Sequence, residues 1–353
     1  MNFDYNEQQQ LLADSVRRYL NEKYTFEQRK KIVAGEGWGE QAWAQFAEMG
    51  LMGLPLSTDH GGFGGGAVDL MGVMEAFGEA LVVEPYLSHV LAARAIERGG
   101  AGALLDGVAE GRIKLAFAHP EKGTRYEPEA IRAQVRNGKL SGEKAAVIGA
   151  PVADRLVVTA KADGAVQLFV VERSKAQLKT YRSMDERLAA DVRFADAPAE
   201  RIEGGLALLG ELTDLGTALV CAEAVGAMQF ACDATLEYLK TRKQFGVPIG
   251  TFQALQHRMV EMFISLEQAR SMACLACSKV DATADAAGNA RAVSAAKIKI
   301  GDAARHVSQE SVQLHGGMGM TEELKVSHTF RRLTALAREF GDADHHLARF
   351  AAL

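Results

Sequence analysis

Several features are scarce in this sequence, and each absence excludes a class of protein. The 353 residues include only 4 cysteines, which favours a reducing compartment over a disulfide-stabilised secreted fold. The 40 Lys and Arg residues are outnumbered by 45 Asp and Glu residues, so no nucleic-acid-binding surface is expected. No apolar run approaches the length that spans a bilayer, and the polar N-terminus does not resemble a signal peptide. We therefore expect a soluble protein of the cytoplasm.

Metal-ligand patterns are scarce as well. Cys274 and Cys277 form a CxxC pair, but no second Cys or His pair follows at zinc spacing. Both cysteines fall in a helical pattern among Ala, Met and Leu. A buried apolar role is favoured over redox or metal chemistry, because free cysteine packs as a small hydrophobe. No metal site is predicted.

The apolar period changes twice along the chain, which predicts three domains. Residues 1–113 show helical spacing, residues 114–204 show short alternating segments, and residues 205–353 are helical again. Asn137-Gly138 and Asp163-Gly164 are hairpin signals between the short segments. Strands joined by tight turns predict an antiparallel sheet or barrel, and long helices with short links predict a bundle. The candidate strands are 115–119, 131–136, 144–148, 155–160, 166–172 and 191–194.

Two glycine-containing stretches interrupt the helical regions. His60–Gly66 lacks the Lys-Ser/Thr ending of a phosphate-binding loop, so a flexible connection is favoured there. Arg242–Gln253 contains Gly246, Pro248 and Gly250, which break both helix and strand and predict a turn of fixed shape. Two interpretations of Arg242 stay open: a cation placed favourably at a helix C-terminus, or a ligand for an anion on a neighbouring surface.

Together with Gln313-Leu-His-Gly-Gly-Met-Gly-Met-Thr-Glu322, the motif Arg242-x-Gln-Phe-Gly-x-Pro-Ile-x-x-Phe-Gln253 resembles the acyl-CoA dehydrogenase flavoprotein family. The ending Phe340–Leu347 is similar to the small subunits of two-subunit members such as pimeloyl-CoA dehydrogenase. The resemblance implies an N-terminal helical domain, a middle β domain and a C-terminal four-helix bundle. That order matches the one that the apolar period predicts.

The resemblance also implies FAD as the cofactor. Arg242, Gln244 and Phe245 would approach the diphosphate and ribose of FAD in an adjacent subunit, and Gln313, Gly316 and Gly317 would line the same pocket. A guanidinium suits a diphosphate because its planar fork donates two hydrogen bonds at once. The stretches 117–121 and 146–148 fall where the family places flavin-ring and substrate contacts. Both depart from the usual residues: Ala146 replaces a common Trp, and His119 lies near a common Thr.

The residue that the family uses as a catalytic base is missing from both of its usual positions. The reaction removes a weakly acidic proton alpha to a thioester carbonyl, which requires a desolvated carboxylate of raised pKa. Phe340 occupies the position used by most members, and Gly216 occupies the position used by a minority. Glu339 and Glu223 are weak candidates for a substitute base. Glu339 is turned about 100° away by its one-residue offset, and Glu223 lies among buried apolar residues.

The resemblance therefore implies an FAD-dependent oxidoreductase that dehydrogenates an acyl-CoA in the β-oxidation of fatty acids or dicarboxylates. The expected form is the small subunit of a hetero-oligomer, with a larger homologue supplying the base and electron-transfer flavoprotein accepting electrons. The alternatives are a homo-oligomer with a non-standard base, a non-catalytic subunit of a flavoprotein complex, or the same fold with changed chemistry.

Overall fold

The computed structural model describes residues 5–282 and 285–353. In this part of the chain there are eleven α-helices: α1 Glu7–Lys23, α2 Phe26–Ala34, α3 Glu40–Glu48, α4 Ala67–Ala80, α5 Tyr86–Arg98, α6 Leu105–Ala109, α7 Gly205–Thr241, α8 Gln253–Asp281, α9 Ala286–His315, α10 Lys325–Leu336 and α11 Ala343–Ala352. The strands are β1 Leu115–Ala118, β2 Gln134–Arg136, β3 Lys139–Ile148, β4 Arg155–Ala162, β5 Ala165–Glu172, β6 Ala176–Arg182, β7 Leu188–Ile202, β8 Lys243–Gln244 and β9 Val247–Pro248. Helices, then a β region, then helices is the predicted order, and the predicted fold class is confirmed.

The middle strands close into a small barrel. Around it β4 pairs with β5, β5 with β7, β7 with β3 and β3 with β2, all antiparallel, and β2 returns to β4 through one parallel contact. Strand β1 lies parallel to β4 along the same edge, with Leu115 opposite Arg155. The core of the barrel is made of alternating apolar residues such as Leu156, Val158 and Phe169. A mostly antiparallel barrel is thus what the short alternating segments and tight turns produce.

Both sequence-predicted hairpins are present. Asn137 and Gly138 join β2 to β3 with φ of +50° and +70°, and Asp163 and Gly164 join β4 to β5 with φ of +52° and +82°. Two consecutive positive φ values match the twist of the flanking strands, which is why Asn-Gly and Asp-Gly predict such turns. Strand β6 was not predicted, because its side chains are polar and largely exposed on both faces. It pairs with β7 along its whole length.

Contacts group the described chain into two compact units, each built from several stretches of sequence. One unit contains the stretch up to Arg29, Ala67–Val82 and the chain from Thr217 onwards; the other contains Lys30–Gly66 and Val83–Gly216. The first helical region therefore contributes to both units. The spacing of apolar residues in the sequence reports the local secondary structure. The division into compact units depends instead on which helices pack against each other in the folded chain.

In the unit that contains the barrel, α5 covers the free edge of β1. The backbone N–H of Leu115 donates to Nδ1 of His89 over 3.2 Å, and the N–H of Phe117 donates to Oγ of Ser88 over 2.9 Å. These side chains satisfy edge donors that would otherwise be buried without partners. Burial lowers the pKa of His89 to about 3, so its Nδ1 stays free to accept.

In the other unit, α4 crosses α7 so closely that only glycine fits. A Cβ added at Gly78 would lie 1.9 Å from the backbone oxygen of Glu223, and one added at Gly226 would lie 1.9 Å from the backbone oxygen of Glu75. The start of α4 is held by α8, since Ala67 N and Val68 N donate to the carboxylate of Asp281 over 2.6 and 2.9 Å. An acidic side chain of another helix thus caps two of the orphan N–H groups of α4.

Helix α7 contains a longer apolar stretch than we expect from the sequence. By length and composition it could cross a membrane, with a mean hydropathy of 1.5 over its most apolar window. That window is 89% buried within the fold, so α7 is the central core helix of the helical region rather than a membrane anchor.

The close crossing of α4 and α7 predicts how a substitution of Gly78 changes stability. Gly78→Ala should lower the free energy of unfolding by about 1–3 kcal/mol or more, because its methyl group overlaps the backbone of α7. Gly301→Ala is the matched control, because Gly301 is also helical but nothing lies within 4 Å of an added Cβ. It should raise stability by about 0.5–1 kcal/mol. Urea unfolding measures both, and equal effects of the two substitutions would contradict the close crossing.

Candidate functional site

The two sequence motifs lie where α7 and α9 end side by side. The rings of Tyr238 and His315 stack with their centroids 4.4 Å apart and their planes 26° from parallel. One turn earlier in each helix, Oγ1 of Thr235 and Oγ of Ser311 are 2.9 Å apart and buried. Because both contacts join the last turns of the two helices, the segments that follow them start next to each other.

The segment after α7 forms a short hairpin rather than an open loop. Strand β8 pairs with β9, and Phe245 and Gly246 form the turn with φ of +54° and +82°. The N–H of Ile249 donates to the carbonyl oxygen of Arg242 over 2.8 Å and closes the base of the hairpin. A Cβ at Gly250 would lie 2.9 Å from the backbone oxygen of Leu239, so glycine lets the returning chain pass α7. The hairpin has the fixed shape that its glycines and proline predict.

Arg242 stands at the base of this hairpin with its side chain exposed. Among the residues described, no carboxylate lies in ion-pair contact with its guanidinium. Its five N–H donors therefore remain available for an external anion. Gln244, in β8, is also exposed.

The segment after α9 offers an open backbone. Gln313 is exposed in the last turn of α9, and Gly316 and Gly317 begin a short 3-10 turn, Gly316–Met320. Gly316 has φ of +60° and ψ of −142°, a conformation that side chains exclude. Nothing lies within 4 Å of a Cβ added at either glycine. The two motifs therefore present a guanidinium, two amides and an exposed glycine backbone, a donor set that fits a diphosphate group.

An apolar surface flanks these residues. It consists of exposed side chains on the hairpin and on the first part of α8: Phe245, Val247, Phe252, Val260, Phe263 and Ile264. Phe245 is 91% exposed, and its ring contacts that of Phe252 edge-on at 6.2 Å. Val260, Phe263 and Ile264 share one face of α8, because they are three and four residues apart. Several large apolar side chains exposed on consecutive segments of this kind are typical of a protein–protein interface.

The position of the usual base lies in a strained turn between α10 and α11. Phe340 has φ of +57° and is followed by Gly341 with φ of +123°. The carbonyl oxygen of Phe340 is 3.0 Å from Nε2 of His346, whose Nδ1 is 3.3 Å from Oγ of Ser294. Burial, aided by the Lys297 ammonium, lowers the pKa of His346 to about 3. A neutral His346 thus donates from Nε2 and accepts at Nδ1, which fixes the turn.

Two carboxylate side chains flank this turn, Glu339 and Asp342. Glu339 is half-buried beside Phe340, and Asp342 accepts the N–H of His345 over 2.9 Å as the N-cap of α11. Lys297 is buried below the turn, where it donates to the carbonyl oxygen of Leu336 and where burial lowers its pKa. The second base position, Gly216, is buried in α7. Asp342 is thus engaged as a helix cap.

Glu223, the other weak candidate, is part of a buried ion pair. Its Oε1 lies 2.5 Å from Nη1 of Arg332, and both side chains are almost completely buried. Nη2 of Arg332 donates to the carbonyl oxygen of Val82 over 2.9 Å. The pair therefore joins α7 and α10 to the chain just after α4, which is a structural arrangement rather than a site open to substrate.

The barrel contains a polar cluster that sequence reasoning did not identify. Lys144, with a side chain that is 0% exposed, contacts Glu121, Thr159 and the backbone of His119. Next to it, β3 bulges: Ala146 has φ of +52°, and its N–H donates to Oδ1 of Asp191 over 3.2 Å. In the sequence, Lys144 is marked only as a lysine within the alternating pattern of β3. A lysine at such a position is equally compatible with an exposed side chain.

Comparison with known proteins agrees with this arrangement. Residues 6–104 match the model of the acyl-CoA dehydrogenase N-terminal domain, and residues 203–352 match that of the C-terminal domain. The chain belongs to the acyl-CoA dehydrogenase family. It is 29% identical to the acyl-CoA dehydrogenase IpdE2 of Mycolicibacterium smegmatis over 98% of this chain and 99% of that protein. A solved variant of the Tcur3481–Tcur3483 steroid ACAD superimposes with a TM-score of 0.91 at 26% identity, covering 98% of this chain and 97% of that one.

A further solved structure supports the fold. The ChsE4–ChsE5 complex of Mycobacterium tuberculosis gives a TM-score of 0.91 at 24% identity, with 100% of this chain and 98% of that chain covered. The family and the fold implied by the two sequence motifs are therefore confirmed.

Substitution of Glu223 distinguishes a structural role of this side chain from a catalytic one. Glu223→Gln should destabilise the protein by about 3–5 kcal/mol, because it removes the negative charge that the buried Arg332 guanidinium contacts. The double substitution Glu223→Leu with Arg332→Met should recover most of this loss, since an apolar pair needs no compensation. Urea unfolding tests both. A Glu223→Gln protein of normal stability that has lost acyl-CoA oxidation would instead identify Glu223 as a base.

Proposed function

We propose that this chain is a subunit of an FAD-dependent acyl-CoA dehydrogenase that forms a double bond between the alpha and beta carbons of an acyl-CoA thioester. The observation that carries the proposal is the meeting of the Arg242 and Gln313 motifs beside the apolar surface. Family membership supports the reaction class, since both matching domain models are those of acyl-CoA dehydrogenases.

The chain's residues fit the cofactor. Arg242, Gln244 and Gln313 would hold the diphosphate and ribose of FAD with charge-assisted and amide hydrogen bonds, and Gly316 and Gly317 would admit it close to the backbone. Phe245 lies at the exposed tip of the same hairpin. When bound, FAD supplies the acceptor for the hydride that leaves the beta carbon. Because these side chains point into open solvent from an apolar surface, we infer that the cofactor is shared with a neighbouring subunit.

A partner subunit would supply the proton-abstracting carboxylate. Phe340 cannot accept a proton, and Gly216 has no side chain, so neither family position serves in this chain. The apolar surface is suited to a structurally similar partner, and we propose a larger homologue in a hetero-oligomer. Electron-transfer flavoprotein is the proposed electron acceptor, and the cytoplasm the proposed compartment. Because one solved relative is a steroid ACAD, polycyclic acyl-CoA thioesters are the first substrate class to test.

The role of Arg242 is testable through flavin binding. Arg242→Gln should weaken FAD binding about 10- to 100-fold, the effect of losing a hydrogen-bonded charge from a diphosphate. Lys243→Gln is the matched control, because it removes an adjacent exposed cation that lies outside the proposed donor set. Fluorescence titration with FAD measures both variants. Equal affinities for the two would contradict a specific diphosphate contact of Arg242.

The partner hypothesis is testable by assay of the chain purified alone. We expect no acyl-CoA dehydrogenation with an artificial electron acceptor, because neither base position carries a carboxylate. Full turnover by this chain without a second protein would refute the hypothesis. In that case Glu339→Gln decides whether Glu339 is the base of a homo-oligomeric enzyme: loss of turnover with retained flavin would assign it that role.

A further inference from the structure

A cavity of about 330 Å³ lies between α1, α4, α7 and the first residue of α10, within the unit that these helices share. Apolar side chains form part of its wall, among them Leu20, Ala76 and Phe230. Four charged side chains also line it: Arg17, Glu79, Asp233 and Lys325. Its volume is at the small end of the range for ligand pockets, so it can hold a short chain but not a whole cofactor.

Three of these four charged groups have partners around the cavity. Nε of Arg17 donates to Oε1 of Glu79 over 3.3 Å, and its Nη2 lies 3.4 Å from Oε2 of Glu75. Oδ2 of Asp233 accepts a hydrogen from Nε2 of Gln229 over 2.8 Å. The contacts of Arg17, Glu79 and Asp233 therefore form without Lys325.

Lys325 is the exception among them. Within residues 5–282 and 285–353 its ammonium makes no hydrogen bond and no ion pair, and Nζ lies 3.9 Å from the centre of the Phe230 ring. An aromatic face attracts a cation but offers no lone pair to an N–H donor. Nζ is not among the sealed polar atoms of the fold, so it is open to the cavity.

The surroundings of Lys325 favour the neutral amine. Lys325 is the first residue of α10, where the positive end of the helix dipole opposes a cation. Burial lowers the pKa of Lys325 to about 8; the Glu79 charge opposes this effect and the Arg29 charge adds to it. At pH 7 roughly a tenth of these side chains are then neutral, against fewer than one in a thousand at the usual lysine pKa of about 10.4. Other titratable side chains also face the cavity: Arg17, Tyr24 and Asp233.

The lining suits an uncharged electrophile better than a free anion. An anion drawn to Lys325 would meet the carboxylates of Glu79 and Asp233 in the same cavity and be repelled by them. A neutral amine has a lone pair that can attack a carbonyl carbon, and desolvation beside apolar side chains is one way in which proteins activate a lysine. The group that matches this cavity is therefore a reactive carbonyl with a short apolar chain.

We propose that Nζ of Lys325 is a site of acylation by acyl-CoA thioesters, with the acyl chain received by this cavity. The amine attacks the thioester carbonyl carbon, the nitrogen–carbon bond forms and the carbon–sulfur bond breaks. Coenzyme A leaves as the thiol after taking up the amine proton, so no oxidant or reductant is needed. The inference rests on the proposed function in one respect, since that function brings acyl-CoA thioesters to this chain. The amide product is neutral, which removes the unpartnered charge.

Acetyl-CoA tests this reaction separately from dehydrogenation, because an acetyl group has no beta carbon. The purified protein is incubated with acetyl-CoA from about pH 6.5 to about pH 10, and peptide mass spectrometry gives the acetylation rate at each lysine. Lys23, an exposed lysine in the last turn of α1, is the internal control. At pH 7 Lys325 should react about 10-fold faster than Lys23, because more of it is neutral. The rate at Lys325 should level off above about pH 8, whereas the rate at Lys23 should continue to rise.

Glu79→Gln changes the surroundings of Lys325 without altering the lysine. Because the Glu79 charge favours the ammonium, its removal should move the levelling of the Lys325 rate to lower pH. Equal rates at Lys325 and Lys23 at pH 7, or a Lys325 rate that rises steadily to about pH 10, would overturn the inference. Selective acetylation of Lys325 in a protein that binds no FAD would contradict the proposed function and leave this inference standing.

Discussion

The parallel ending of α7 and α9 is the constraint on which the candidate site depends. Neither motif is a site by itself: one is a hairpin at the end of a helix, and the other is a glycine turn at the end of another. The Tyr238–His315 stack and the Thr235–Ser311 contact hold the last turns together. Rigid helices position such groups better than loops do, because their ends are fixed by packing over many turns. The close approach of α4 at Gly78 and Gly226 in turn fixes α7.

Much of this architecture could be predicted because local chemistry dictates it. Asn137-Gly138 and Asp163-Gly164 specify their hairpins, since both need positive φ at two positions. The helical period located the helical regions, and the Arg242 and Gln313 motifs marked the two segments that meet at the candidate site. Strand β6 was missed because a polar strand exposed on both faces carries no period-two signal. The pairing of Glu223 with Arg332, 109 residues apart, could not be predicted, because nothing local marks two side chains that meet only after folding.

The His119–Thr159–Lys144 cluster shows the same limit more strongly. Each residue looks ordinary in its own segment, and the contacts form only because β3, β4 and the segment after β1 meet in the folded barrel. Burying a lysine costs free energy unless each N–H of its ammonium group has an acceptor, and each of them has one here. The strained Phe340 turn, fixed by His346, is likewise invisible in sequence except as the pattern of the chain's ending. The residues that differ from those usual in the family are thus held by hydrogen bonds to their neighbours rather than lying loosely on the surface.

We propose that the candidate cofactor residues of this chain act across a subunit boundary next to the apolar surface. Sedimentation of the purified protein, recorded at a protein wavelength and a flavin wavelength over a range of concentrations, tests it most directly. Flavin should sediment only with oligomers, whether of this chain alone or with a partner, and should be released as the oligomer dissociates. A monomer that retains flavin would contradict it.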